Sequence, residues 1–584
     1  MKRILLVLVV LAVAAFAGWY YWNLSQKISS APGAALLPRE TIFVAQMPDF
    51  NRAYEEWQHC DIYQLYREPA VQDFLRKPLS KVPKSDAMSR VLREIEQLAP
   101  KNAFLALTSI ENNNPKAVGG FRFRGSREEA ERIIGRWQSA LGGQNSNLKR
   151  EKMRYQRHEI EVTKAAAFSV ATVYDPPWFF AATEVPELEA LLDRADRRGA
   201  NAENTLDKDD AYGKAMSRRP SDCVAFLYLQ PNAFSQRLAA LRAAVGSTPA
   251  AGEGTMLEKM RCITGSMQFE NGKIHDVLFL GMPKLDHDAT LTRSSISIGT
   301  KETFFYLAML LNLGEKMDAF NQAAAFAGTH MLQALTESGI TAADWKAAFG
   351  IELGSLADWP ASAHWPSLLI TVPLKDAAKA GRIVEALLRA DEDGAWTQTE
   401  KDGVRYFSKQ SLATFLAITP TIALSDRILI AGINPVSVQE AIKRSGSDPS
   451  ELVDSETYKA VARLLPAPTN FFAFVDTALL YSRLDASLRP MLLMAAAFVP
   501  AVSGSIDPGK LPAPEVITKH LSPIICSQRY EGDGYLAESI GPITLDQLGI
   551  GIAILSSFGA PARQIGSSPS ATLPAVTLSP SPTP

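Results

Sequence analysis

The sequence predicts an α+β protein: an N-terminal transmembrane helix, then two homologous α+β domains with largely antiparallel sheets and flanking helices. Three observations predict it. One stretch of the chain occurs twice, strand-like runs come in pairs closed by hairpin turns, and an uncharged run opens the chain. The repeated stretch reads WFFAATEVPELEALLDRA from Trp178, then DKDDAYGKAMSRRPSDCVAFLYL to Leu229. Its echo reads RILIAGINPVSVQEAIKR from Arg427, then DSETYKAVARLLPAPTNFFAFVD to Asp476. Each copy runs apolar strand, turn with a proline (Pro186, Pro435), amphipathic helix, polar loop, second helix with a tyrosine (Tyr212, Tyr458), and aromatic strand. Strand pairs joined by tight turns favour an antiparallel sheet over a doubly wound parallel one.

The opening run carries Lys2 and Arg3 before the uncharged Ile4–Trp22. As a helix it would extend about 28 Å, close to the ~30 Å hydrocarbon core of a bilayer. It ends in Trp19-Tyr20-Tyr21-Trp22, the aromatic composition favoured at a membrane interface. The positive flank predicts a single-pass protein with its N-terminus in the cytoplasm and the bulk of the chain extracytoplasmic, in the periplasm. The same run also fits a cleaved signal peptide, with Ala15-Phe16-Ala17 as the small-x-small site. Residues 1–23 are therefore an anchor or signal segment, and 24–36 a small-residue linker.

The first repeat is expected over 37–288. It opens with a strand, ETIFVAQM (Glu40–Met47), closed by Pro48-Asp49, and Asp49 is placed to cap the helix that follows. Helical patches come next at Pro69–Leu79 and Asp86–Leu98, then strands at Ala103–Thr108 and Ala117–Phe123. A helix follows over Ser126–Leu141, with Ser126 and Glu129 in capping-box positions. The second repeat, 289–545, restates this order: ETFFYLAM (Glu302–Met309) answers ETIFVAQM. The hairpin ENGKIHDVLFLG (Glu270–Gly281) is answered by EGDGYLAESIG (Glu531–Gly541). Within Leu479–Val502, the run MLLMAAAFV (Met491–Val499) is too short to span a bilayer and reads as a buried helix. A short apolar segment, 546–560, precedes a Ser/Pro/Thr-rich tail, 561–584, which is disordered on composition.

Bulk composition narrows function mainly by exclusion. The 584 residues suit two or three domains. Lys plus Arg (60) balances Asp plus Glu (62), which advertises no nucleic acid. Four cysteines, Cys60, Cys223, Cys262 and Cys526, form no CxxC pair, so they are read as buried free thiols, with two long-range disulfides as the alternative. No GxSxG elbow, phosphate loop or HExxH motif occurs, and Gly549-Ile-Gly551 lacks a third glycine. No cofactor or metal is expected. His59-Cys60-Asp61 are sequence neighbours, which point apart on a helix or strand and cannot form a triad by adjacency. Asp207-Lys208-Asp209-Asp210 reads as helix capping. The densest basic patch is Arg122, Arg124, Arg127, Arg132 and Arg136, where an anionic ligand could dock, although Glu128, Glu129 and Glu131 sit close by.

The layout resembles a bacterial family of membrane-anchored, two-repeat extracytoplasmic domains of unknown function. The resemblance covers most of residues 1–545 and rests on LLPRETIFVAQMPDFNRAYEEWQHCDIYQLYREPAVQDFL, with Leu37, Pro38, Thr41, Pro48 and Asp49 as its opening signature. The second copy has Thr300-Lys301 where Leu37-Pro38 stand. The resemblance implies an architecture and no catalytic residue. The expected function is thus a non-enzymatic binding or scaffolding role in the cell envelope, held at the membrane by residues 4–22, with an envelope protein as partner. The alternatives are an extracytoplasmic hydrolase whose site forms only in three dimensions, and a carrier of an apolar ligand.

Overall fold

The computed structural model describes residues 33–80, 86–111, 114–141, 149–164, 169–197, 203–231, 259–284, 289–310, 337–389, 391, 396–409, 418–446 and 450–548. The expected anchor at 4–22, most of the segment 546–560 and the tail lie outside them. Among the described residues, no helix is long and apolar enough to cross a membrane.

Among the described residues, twenty strands build one antiparallel sheet. In the first half they are β1 (Phe43–Asp49), β2 (Lys101–Glu111), β3 (Asn114–Arg122), β4 (Lys149–Tyr155) and β5 (His158–Lys164). They continue as β6 (Ser169–Asp175), β7 (Trp178–Ala182), β8 (Ala225–Leu229), β9 (Cys262–Glu270) and β10 (Lys273–Gly281). In the second half they are β11 (Thr303–Leu310), β12 (Glu352–Asp358), β13 (Ser367–Pro373), β14 (Trp396–Lys401) and β15 (Val404–Lys409). The last five are β16 (Thr421–Leu424), β17 (Ile428–Gly432), β18 (Phe471–Val475), β19 (Ile524–Glu531) and β20 (Gly534–Gly541).

The spatial order of the first half is β4-β5-β6-β7-β3-β2-β1-β8-β9-β10. The second half follows the same order, β14-β15-β16-β17-β13-β12-β11-β18-β19-β20. The halves meet where β10 pairs antiparallel with β20, and Val277 lies opposite Glu538 near the middle of that pair. The sequence suggested a sheet in each half; the β10–β20 ladder makes them one. Its ends are β4 and β14, and β4 (KREKMRY) is almost wholly exposed and charged, which discourages further pairing.

Local chemistry accounts for many boundaries. Asp49 accepts a hydrogen bond from the Arg52 N–H and caps the Phe50–Gln58 helix. The expected helix Asp86–Leu98 is present with those bounds, and Ser126 Oγ accepts from the Glu129 N–H at the start of Arg127–Leu141. Asn271-Gly272 and Asp402-Gly403 take positive φ in two-residue turns, joining β9 to β10 and β14 to β15. Pro186 and Pro435 sit at the starts of helices Val185–Ala195 and Pro435–Arg444 rather than in turns, because proline has no N–H for the helix to leave unbonded. A further helix, Asp61–Arg67, carries no such sequence signal: Cys60 gives it no side-chain cap.

Helices cover both faces of the sheet toward its ends. On the near face of the first half, Tyr212 packs edge-on against Phe226 and Tyr228 over a core that includes Val44, Phe104, Phe180 and Leu188. In the second half Tyr458 packs edge-on against Phe474 and tilted against Phe472. On the far face, the Arg127–Leu141 helix sets Ile133 and Ile134 over Phe121 and Phe179. The Ala377–Arg389 helix sets Ile383 near Val372 and Leu429. All four cysteines are free and buried. One expectation is overturned: Met491–Val499, the end of the Thr477–Phe498 helix, is largely exposed, with Phe498 at 83%. Its composition is that of a core helix, but no described element packs over its tip.

Candidate functional site

Between the parts that described elements cover, the far face exposes an apolar stretch. On a strand, alternate residues face opposite sides, and in β2 Phe104 and Ala106 are buried while Leu105 is 57% exposed. In β8 Phe226 and Tyr228 are buried while Leu227 is 47% exposed. The register brings these leucines into one row: Gly119 pairs with Leu105, Leu105 with Ala45, Ala45 with Leu227, and Leu227 with Gly265. Two strand spacings put the leucines about 10 Å apart across Ala45. A Cβ added at Gly265 would meet nothing within 4 Å, so among the described residues the floor beside Leu227 is uncovered. In the second half Leu368 and Ile370 of β13 are exposed on this same face. The sequence carried the signal: a half-buried strand should alternate apolar with polar, yet AFLAL and AFLYL are apolar on both sides.

The seam between the halves holds a second group. On the far face, Asp276 of β10 pairs with Ser539 of β20, which pairs with Cys526 of β19. The Thr544 hydroxyl donates to Asp276 Oδ2. Burial pushes the Asp276 carboxyl up to about 6, aided by the neighbouring Asp546 and opposed by the Thr544 bond. Asp546 is also raised by burial, and burial pushes the Cys526 thiol up to about 12. On the near face, His275 bonds through Nε2 to Glu538 at 3.2 Å, and Arg529 donates to Glu538 as well. Burial works to raise Glu538, but the bonds from His275 and Arg529 outweigh it and hold the carboxyl below its usual range.

Charged groups in opposed pairs line three of the shallow cavities among the described residues. One of about 170 Å³ holds Arg127 with Glu131 (2.7 Å) and Lys152 with Glu159 (2.8 Å). One of about 290 Å³ at the seam holds Lys214 with Asp533 (3.4 Å) beside Cys262, whose thiol burial pushes up to about 11. A thiol so raised stays protonated at neutral pH and is a poor nucleophile. The third, of about 300 Å³, includes Glu385 and Arg389, paired at 3.5 Å. Histidines are tied into structural contacts: His158 to Asp196 at 2.9 Å, His520 to Glu68 at 2.8 Å. In the His59-Cys60-Asp61 run, His59 Nδ1–H donates to the Glu55 carbonyl, and Cys60 Sγ donates to the Glu56 carbonyl. Among the described residues no group of three metal-ligating side chains occurs.

The basic patch does not converge. Arg122 ends β3 and Arg124 lies beyond the strand. On the helix, Arg127 pairs with Glu131, Arg132 with Glu129 at 3.7 Å, and Arg136 with Glu94 at 2.8 Å. Each guanidinium on the helix thus has its own carboxylate.

No protein-family model matches the chain, and no curated protein matches it. Among solved structures, three crystal forms of one protein, TP0453, can be superposed on it. Form IV gives a TM-score of 0.25 at 7% identity, covering 42% of this chain and 79% of that one. Form I gives 0.24 at 7%, covering 44% and 81%, and form III gives 0.25 at 6%, covering 43% and 81%. A likeness of that size assigns neither fold nor function.

Proposed function

We propose that the chain is a non-enzymatic scaffold of the cell envelope, tethered by residues 4–22, whose duplicated halves present the open far face to an envelope protein. The supporting observation is the exposed row Gly119-Leu105-Ala45-Leu227-Gly265. Leucines standing out of a floor of glycine and alanine offer an apolar surface that a partner's helix or sheet can cover. The hydrolase alternative is less well supported. The described cavities set acids against bases in opposed pairs, and the thiol nearest to one of them is held protonated. Lys2 and Arg3 support a cytoplasmic N-terminus with the body outside, on the periplasmic side.

The test is a photo-crosslinking amino acid at Leu105 or Leu227 in the full chain, irradiated in native membranes. One discrete protein adduct, lost when the probe at 105 is combined with Leu227→Asp or the probe at 227 with Leu105→Asp, is the expected result. A crosslink within the chain, for instance to residues 232–258, or to lipid alone, overturns the reading. Protease treatment of spheroplasts tests topology: protection of residues 33–548 would sink the extracytoplasmic placement.

A further inference from the structure

The Thr477–Phe498 helix divides into two parts. Its first half is held by polar contacts: Arg483 donates to the Trp359 carbonyl and to Glu302, Ser487 donates to the His364 carbonyl, and Arg489 forms a fork with Asp485. Beyond Arg489 the chain carries no charge from Pro490 to Ile506. Leu488, Met491, Leu493, Met494, Phe498 and Val499 are all exposed, and every residue from Ala497 to Ala501 is exposed. At 100° per residue Leu488, Met491, Met494 and Phe498 fall on one side of the helix and Leu493 and Ala497 beside them, while Leu492, Ala495 and Ala496 form a half-buried apolar stripe. The tip is therefore apolar around most of its circumference.

We propose that this tip inserts into the lipid bilayer, as a second membrane contact beside the N-terminal run. A protein groove covers a stripe of a helix, and such a helix keeps a polar side for water. This one keeps none, and the acyl region of a bilayer covers the whole exposed arc at once. The nine residues Met491–Val499 rise about 14 Å as a helix, less than half of the ~30 Å hydrocarbon core, so the tip enters one leaflet without crossing. The inference rests on the membrane tether only for bringing the body near lipid. Arg489, and Lys77, which donates to the Ser503 and Ile506 carbonyls, mark the polar limit of the inserted part.

The experiment uses the full chain, reconstituted in phosphatidylcholine–phosphatidylglycerol vesicles, with an environment-sensitive fluorophore on Met494→Cys or, separately, Phe498→Cys. The native thiols are buried, so labelling falls on the introduced one. Val436→Cys, exposed on the Pro435–Arg444 helix, is the aqueous control. The expected result is a blue-shifted emission quenched by brominated lipid and not by iodide at 494 and 498, with the reverse at 436. Iodide quenching at 494 and 498, or shielding from both quenchers, overturns the proposal. Shielding that depends on protein concentration would assign the tip to a second copy of the chain instead. Flotation of the chain with the vesicles reports the tether separately, so failure of the anchor and failure of the tip give different readings.

Discussion

Asp276→Asn offers a sharp test of the seam between the two halves. In the folded chain burial moves this carboxyl from 3.8 up to about 6. A raised carboxylate pKa means that the folded state disfavours the charged form. Below the unfolded value both states are protonated and the group contributes nothing. As pH rises from about 4 through 6 the unfolded chain ionises first, and stability is lost until the folded group also ionises. Two pKa units correspond to about 3 kcal/mol at pH 7 and above. Asparagine keeps an acceptor for the Thr544 hydroxyl and removes the charge, so the variant is expected to match wild type near pH 4 and exceed it by up to about 3 kcal/mol at pH 7–8. With the entropy of unfolding scaling with chain length, that is roughly 2–3 °C in Tm for a chain of this size. The assay is thermal unfolding of the full chain in detergent from pH 4 to 8, read as the difference between variant and wild type so that other titrations cancel. A difference independent of pH, or an Asp276→Asn protein less stable than wild type at pH 8, would refute the placement of this carboxyl.

Other perturbations probe different parts of the fold. Glu352 is buried and accepts from the Thr292, Arg293 and Ser294 N–H groups and from the Thr292 and Ser294 hydroxyls, holding the start of the Ser294–Ile298 turn. Glu352→Ala strands those donors and is expected to cost about 3–5 kcal/mol; a loss under about 1 kcal/mol in denaturant titration would contradict the contacts. The four thiols should resist a disulfide reagent at pH 8 in the folded protein and all react on unfolding, since they are buried and Cys60, Cys262 and Cys526 are pushed up to about 12, 11 and 12. Rapid modification of any one of them without unfolding would count against that burial. In Glu538→Gln the pH response should change at the acid end. The native carboxyl is held below its usual range, so its contribution is full above the unfolded pKa and lost as pH falls through the lower folded value. An unchanged acid limb in the variant would disprove it.

The sequence by itself determined the local elements and their repetition. Helix Asp86–Leu98, the Asp49 and Ser126 caps and the Asn271-Gly272 and Asp402-Gly403 turns were legible because each depends on contacts within a few residues. The aromatic strands under Tyr212 and Tyr458 were legible because a core imposes the same apolar pattern wherever it recurs. The far-face row was half legible. AFLAL and AFLYL announce strands apolar on both sides, but apolar residues read alike under a covering helix and in the open. Phe179 of β7 lies under Ile133, while Leu105, in the same cross-strand array, lies under nothing described. Only the tertiary structure decided that difference, the exposure of Met494 and Phe498, and the joining of the halves through Val277 and Glu538. Each depends on which segments far apart in sequence come to lie over or beside one another, and the energy of that choice resides in no single stretch of the chain.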